Sequence, residues 1–259
     1  MSAIATHSVT PGKAALPTSL SDEALARESM LAQAAIRRHR FVIIGLRIAV
    51  LVTVLGGWEL AADRKWIDPF FYSQPSLIWA QIVDWIRNGT SQGSLWMQVA
   101  VTLEETILGF LIGGVSGIIA GILLGRNKLL SDIFSLYIQI ANAVPRVVLG
   151  SVFVIALGLG MASKVALAVV MVFFVVFGNA FQGVREADKY LIANARILGA
   201  SPRQLTTSVV IPSAMSWILA SLHVSFGFAL VGAVVGEFLG AKQGMGLLIS
   251  TAQGAFNAS

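Results

Sequence analysis

Apolar residues run almost without interruption over 41–61, 97–124, 134–157, 165–183 and 213–235, and polar residues gather in the stretches between them. A helical run of about 20 apolar residues crosses the hydrocarbon core of a bilayer, because a helix satisfies its own backbone there. The pattern therefore predicts five spans in an all-α helical bundle. Residues 75–87 (PSLIWAQIVDWIR) are too short to cross. They place Leu77, Ile78, Ile82, Val83 and Trp85 near one helical face, and their two tryptophans suit an interfacial helix. Residues 1–40 are polar and rich in small residues, with Pro11, Gly12 and Pro17. They predict a disordered tail with a short helix starting at Ser21-Asp22-Glu23. Residues 41–259 form the transmembrane domain.

Composition agrees with a multi-pass membrane protein. Only 12% of the 259 residues are charged, where a soluble domain would carry about 25%. The absence of cysteine excludes disulfides and thiol catalysis. Most basic residues outside the spans fall on one side: Arg37, Arg38 and Arg40, then Arg126 and Lys128, then Arg185, Lys189, Arg196 and Arg203. The other side holds Arg64, Lys65, Arg87, Lys164 and Lys242. Positive charge favours the inside, so the N-terminus and the loop 184–212 are expected in the cytoplasm. Basic residues scattered among loops argue against a nucleic-acid partner.

The second run carries Gly113-x-x-x-Gly117-x-x-x-Gly121, a ridge of small residues along which another helix can approach closely. Glu104-Glu105 near its start read most simply as an interfacial ion pair. In the third run, Asn142, Pro145 and Arg146 stand together. Proline frees a backbone carbonyl and kinks a helix, and a charge inside a span usually faces the bundle interior. Arg146 supplies positive potential to an anionic substrate, snorkels to an interface, or pairs with a carboxylate such as Glu104 or Glu105. Asn179 lines a pathway or makes an interhelical hydrogen bond. Glu237, counted with Asn142, Pro145, Arg146 and Asn179 as a candidate for the substrate pathway, pairs with Lys242 or meets an external protein. His223 reads as a packing residue. No nucleophile–base set and no metal-ligand spacing occurs in the sequence, so neither a catalytic residue nor a metal is expected.

The loop 184–212 has helix punctuation. Asp188 to Leu198 reads as a helix, ended by Gly199. Ser201 as N-cap and Pro202 at the first helical position start another, and Pro212 marks passage into the last run. Such an element either receives a mechanical push at the mouth of the bundle or rests on the lipid surface as an amphipathic connector.

The residues Ala193-Asn194-Ala195, Gly199, Val209 and Ile211-Pro212 resemble the EAA loop of bacterial ABC importer membrane subunits. That pattern is Glu-Ala-Ala, three residues, Gly, nine residues, Ile, one residue, Leu-Pro. Gly158-Leu159-Gly160 with Ser163-Lys164-Val165, Ala195-Arg196 with Leu198-Gly199-Ala200-Ser201, and Glu237 before Gly244-Met245-Gly246 are similar to the nitrate, sulfonate, taurine and bicarbonate branch. The resemblance runs from about Pro75 to the end of the chain. It departs at the motif glutamate, here Ala193, and at the first motif alanine, here Asn194. Glu186 and Asp188 lie about two turns earlier as candidate substitutes.

The resemblance implies a type I importer domain without catalytic activity of its own. It implies a coupling helix in which Asp188, Ala193–Arg196, Leu198–Pro202 and Arg203 meet an ATPase subunit. It further implies a homodimer, two ATPase subunits, a periplasmic binding protein and a small, anionic solute. ATP and Mg would be bound by the ATPase partners, since this chain carries no Gly-x-x-x-x-Gly-Lys phosphate loop and no cofactor is expected in it. One further span beyond Asn257 is expected from the same resemblance. The competing readings are a self-contained secondary transporter, which would show an internal repeat with broken helices in both halves, and a membrane scaffold that docks a partner without transporting.

Overall fold

The computed structural model describes residues 18–254, and the chain divides into two units, 1–67 and 68–259. In the first unit a single helix, α1, covers Thr18–Asp63. It includes the expected first span and extends back through the described part of the segment expected to be disordered. Its apolar part, Ile36–Asp63, has 28 residues and a length of about 42 Å at 1.5 Å per residue, enough to cross a bilayer. Residues 1–17 of the predicted tail lie outside the described part.

The second unit begins with a short helix, α2 (Pro69–Tyr72), and the expected interfacial helix, α3 (Pro75–Asn88). Pro75 opens α3, and Gly89 closes it with φ +83°. The bundle proper is built from α4 (Leu95–Arg126), α7 (Met161–Arg185) and α10 (Ile211–Leu239). Both α4 and α10 pack along α7, where Leu167, Ala168, Val172, Val176 and Ala180 are fully buried. Helices in lipid gain nothing by hiding apolar surface from lipid tails, so close van der Waals packing must hold them.

The glycine ridge supplies that packing. A Cβ at Gly113 would stand 2.7 Å from the carbonyl oxygen of Val169. At Gly117 it would stand 2.9 Å from that of Phe173, and at Gly121 2.8 Å from that of Phe177. The partner advances four residues for every four on α4, so the two helices lie backbone to backbone over at least two turns. On the other side of α7, a Cβ at Gly232 of α10 would come within 2.7 Å of the Ala168 Cα. Ala168 is thus clamped between glycines of two helices, because Gly109 of α4 faces its Cβ.

The expected third span, 134–157, is not one helix. It consists of α5 (Lys128–Ala143), a 3₁₀ turn at Arg146–Val148 and α6 (Leu149–Leu157). Val144 is extended, with φ −73° and ψ 127°. Proline disfavours helical geometry in the residue before it and lacks the N–H that would continue the ladder. Pro145 therefore separates two helices rather than kinking one. Four helices among the described residues are long and apolar enough to cross a membrane, and the segment Arg146–Leu157 is too short to do so.

The start of the last long span also differs from expectation. Helical structure does not begin at Ser213 but runs unbroken from Pro202 to Leu239 through α9 (Pro202–Leu205), a π turn at Thr206–Val210 and α10. Pro212 explains the π turn. A regular α-helix would need an N–H from residue 212, and the wider turn removes that demand while keeping the helix continuous. Ser213 Oγ donates to the Val209 carbonyl at 2.7 Å in the turn that follows. A last helix, α11 (Met245–Gly254), packs on α10 and α4.

Candidate functional site

The polar loop between α7 and α10 folds as its punctuation predicts. Asp188 accepts from the Tyr190 N–H at 2.7 Å and starts α8 (Lys189–Ile197). Gly199, with φ +82°, ends the turn, and closing bonds run from Ala200 N–H to the Ala195 carbonyl and from Gly199 N–H to that of Arg196, both at 3.0 Å. Ser201 and Gln204 then form a reciprocal cap: the Gln204 N–H donates to Ser201 Oγ, and the Ser201 N–H donates to Gln204 Oε1 at 2.8 Å. The second half of the loop is consequently the first turn of the 202–239 helix.

One side of this loop is apolar and open. Tyr190 and Ile197 are 83% exposed and Leu198 is 86% exposed. Leu191, Asn194, Ala195 and Leu198 line a groove of about 570 Å³ whose far wall is Ser208, Val209 and Pro212. Ala193, Asn194, Arg196 and Arg203 are exposed, and Ala195 and Ala200 are half-buried. Both acidic residues offered in place of the absent motif glutamate are exposed, and each holds one local hydrogen bond. The side chain of Glu186 accepts from Gln182 at 2.7 Å, and Asp188 is occupied as the N-cap.

Of the residues read as lining a pathway, Asn142, Pro145 and Arg146 sit at the break after α5, Asn179 on α7 and Glu237 on α10. Arg146 is half-buried at the helix break, with its guanidinium 5.2 Å from the centre of the Phe174 ring. That is cation–π geometry. Pro145 is exposed beside it, and the side chain of Asn142 lies outside the described part. Among the described residues Asn179 makes no interhelical bond. It donates to the Val175 carbonyl of its own helix at 2.9 Å.

Glu237 corrects two expectations at once. It neither pairs with Lys242, which is exposed, nor reaches the surface, for it is 0% exposed. One carboxylate oxygen accepts from Thr102 Oγ1 at 2.7 Å and the other from the Gly246 N–H at 2.6 Å. Gln98 and Thr102 complete the clasp by accepting from the N–H groups of Gly244 (2.6 Å) and Met245 (2.9 Å). Glu105, expected at an interfacial ion pair, is buried against Glu237 instead. Lys164 stands within electrostatic reach of both carboxyls while donating to the carbonyls of Leu159 (2.7 Å) and Gly160 (3.1 Å). Burial favours these bonds, since an unpaired polar group in this environment costs about 1–3 kcal/mol; one carboxyl oxygen of Glu105 stays without a hydrogen-bond partner among the described residues. Thr102→Val is expected to lower stability by about that amount, seen as a reduced unfolding temperature in detergent, while Thr102→Ser stays close to the parent.

Residues 113–259 match the family described as "Binding-protein-dependent transport system inner membrane component". The chain belongs to that family. Among curated relatives, a probable ABC transporter permease protein of Haemophilus influenzae is 28% identical over 204 residues, covering 79% of this chain and 80% of the relative. The taurine transport system permease protein TauC of Escherichia coli is 28% identical over 81% of this chain and 76% of its own. The putative aliphatic sulfonates transport permease protein SsuC of Bacillus subtilis is 32% identical over 62% of this chain and 58% of its own. A riboflavin transport system permease protein, RibX of Chloroflexus aurantiacus, is 26% identical over 86% and 81% respectively. The fold matches that of a chain in the crystal structure of an amino acid ABC transporter with histidines, at TM-score 0.52 and 18% identity over 69% of this chain and 82% of that one. The chain is therefore an inner-membrane permease component of an ABC transporter, a membrane subunit rather than an enzyme.

Proposed function

We propose that this permease works in an ATP-driven importer in which the loop 184–212 is the coupling element. The observation that carries the reading is the loop's construction: a capped, outward-facing apolar helix joined through a short cap to a rigid 38-residue helix, Pro202–Leu239. An exposed apolar surface on a capped helix suits a protein partner, and an unbroken helix carries displacement along its length. Asp188, Ala193–Arg196, Leu198–Pro202 and Arg203 are the proposed contacts to an ATPase subunit. ATP and Mg act on that subunit; nucleotide-dependent closure moves the loops of two permease copies together and switches the bundle between inward- and outward-facing states. A periplasmic binding protein delivers the solute.

The absence of native cysteine allows a direct test. An Ala195→Cys permease, co-expressed with an ATPase carrying a single cysteine in its docking groove, is expected to crosslink in inverted vesicles, with a yield that changes on adding ATP. Free labelling of Ala195→Cys without crosslinking would leave the loop a surface connector.

We further propose that the solute is a small anion. Arg146 at the broken third span supports this, as do the names of the sulfonate and taurine relatives. The riboflavin relative shows that names in this family vary, so the weight rests on Arg146. Arg146→Gln is expected to reduce the affinity of uptake for sulfonates by about tenfold, the loss of one charged hydrogen-bond partner. Unchanged affinity with Arg146→Gln would remove the anion assignment while leaving the importer reading intact.

A further inference from the structure

A second cavity of about 570 Å³ lies on the opposite side of α8 from the apolar groove, between α8, the C-terminal end of α7 and the start of α5. Four cations line it, Arg126, Lys128, Arg185 and Arg196, against a single carboxylate, Asp132. Among the described residues none of the four cations takes part in an ion pair. The Arg185 guanidinium lies 5.5 Å from the centre of the Phe181 ring, which is cation–π geometry.

Two features ask for negative charge here. Lys128 occupies the first position of the 16-residue helix α5, where the helix dipole already presents positive potential and a cation is unfavourable without a counter-ion. Ser131, one turn further on, is only 2% exposed, lines the same cavity, and its hydroxyl has no hydrogen-bond partner. A buried hydroxyl left unbonded costs about 1–3 kcal/mol. A phosphate oxygen in the cavity would satisfy the hydroxyl, the helix terminus and the cations together. The other face of the same turn is apolar, with Leu129 69% and Ile133 50% exposed. That is where an acyl chain would lie.

We propose that this cavity binds a phosphate-bearing anion, bridging the coupling helix through Arg196 to the bundle through Lys128 and Arg185. The phosphate belongs either to an anionic phospholipid or to the free anion in solution. The site is separate from both the apolar groove and Arg146, and its binding does not depend on the transport mechanism. A bound anion would tie α8 to the α4–α5 turn and so resist movement of the loop.

The test uses the full chain in nanodiscs of phosphatidylcholine and phosphatidylglycerol, released into native mass spectrometry. A parallel arm measures inorganic phosphate by equilibrium dialysis on delipidated protein in detergent. Retained phosphatidylglycerol assigns the lipid; phosphate binding without lipid assigns the free anion. In either arm Lys128→Gln and Arg185→Gln each lower occupancy by about fivefold, and Lys128→Arg restores it. Both side chains are exposed, so the unfolding temperature of delipidated, phosphate-free protein stays close to the parent value, which separates lost binding from lost folding. Lys242→Gln, remote from the cavity, leaves occupancy unchanged. Binding of neither probe, or an equal loss with Lys242→Gln, would overturn the proposal.

Discussion

Gly117→Leu abolishes the folded permease rather than weakening it. Even a Cβ at this position would stand 2.9 Å from the Phe173 carbonyl oxygen and 3.1 Å from the Phe177 nitrogen. Those atoms are helix backbone and cannot rotate away. Leucine adds three more carbons in the same direction, so α4 and α7 must separate. Overpacking by single methylenes typically costs about 1–3 kcal/mol where side chains can adjust, and here they cannot. Separation also breaks the neighbouring contacts at Gly113 and Gly121, on which membrane helices depend in place of hydrophobic burial. The expected result is loss of the monodisperse species in size-exclusion chromatography of detergent extracts. Gly57→Leu serves as the control, because nothing lies within 4 Å of a Cβ there. A normal Gly117→Leu profile would show that the ridge does not hold the bundle.

Leu198→Asp is expected to have the opposite character: a folded permease that does not transport. Leu198 is 86% exposed and lines the groove between α8 and the 202–239 helix, so the chain's own packing barely depends on it. If the groove receives an ATPase subunit, a carboxylate at its edge must be desolvated on docking, and apolar hot spots lost at such interfaces cost about 2 kcal/mol or more. Solute-stimulated ATP hydrolysis and uptake should fall by at least about tenfold, with membrane abundance and unfolding temperature preserved. Normal uptake would place the coupling contact elsewhere on the loop.

The two variants also mark what the sequence could and could not convey. The glycine ridge is a period-four pattern within one helix, so its presence could be read directly, although not its partner. The caps at Asp188, Gly199 and Ser201 are local chemistry and were equally readable. At Val144-Pro145 the proline announced a kink but not a full break, because apolar residues continue on both sides of it and hydropathy does not distinguish one long span from two short helices. The clasp around Glu237 was hidden for a different reason. Thr102 lies 135 residues from Glu237, and Gln98 lies 146 from Gly244, so no local pattern connects them. Their sole sequence signal was the presence of Glu105, Lys164 and Glu237 in apolar surroundings, where ionisable groups seldom stand unpaired.

That clasp bears on how the chain is made. Its first members, Gln98, Thr102 and Glu105, are on α4, whereas Glu237 and Gly246 come from the other end of the polypeptide. At about 5–20 residues per second of synthesis, α4 is complete several seconds before its polar partners exist. Throughout that interval it holds a carboxyl and a bare glycine face that its final neighbours will cover. A newborn α4 is therefore a poor guest for lipid, and the time until α7 and α10 arrive is a window in which an insertion chaperone or a membrane protease competes for it. Variants that loosen the clasp should lengthen that window, so their first visible effect in cells would be on how much permease survives its own synthesis.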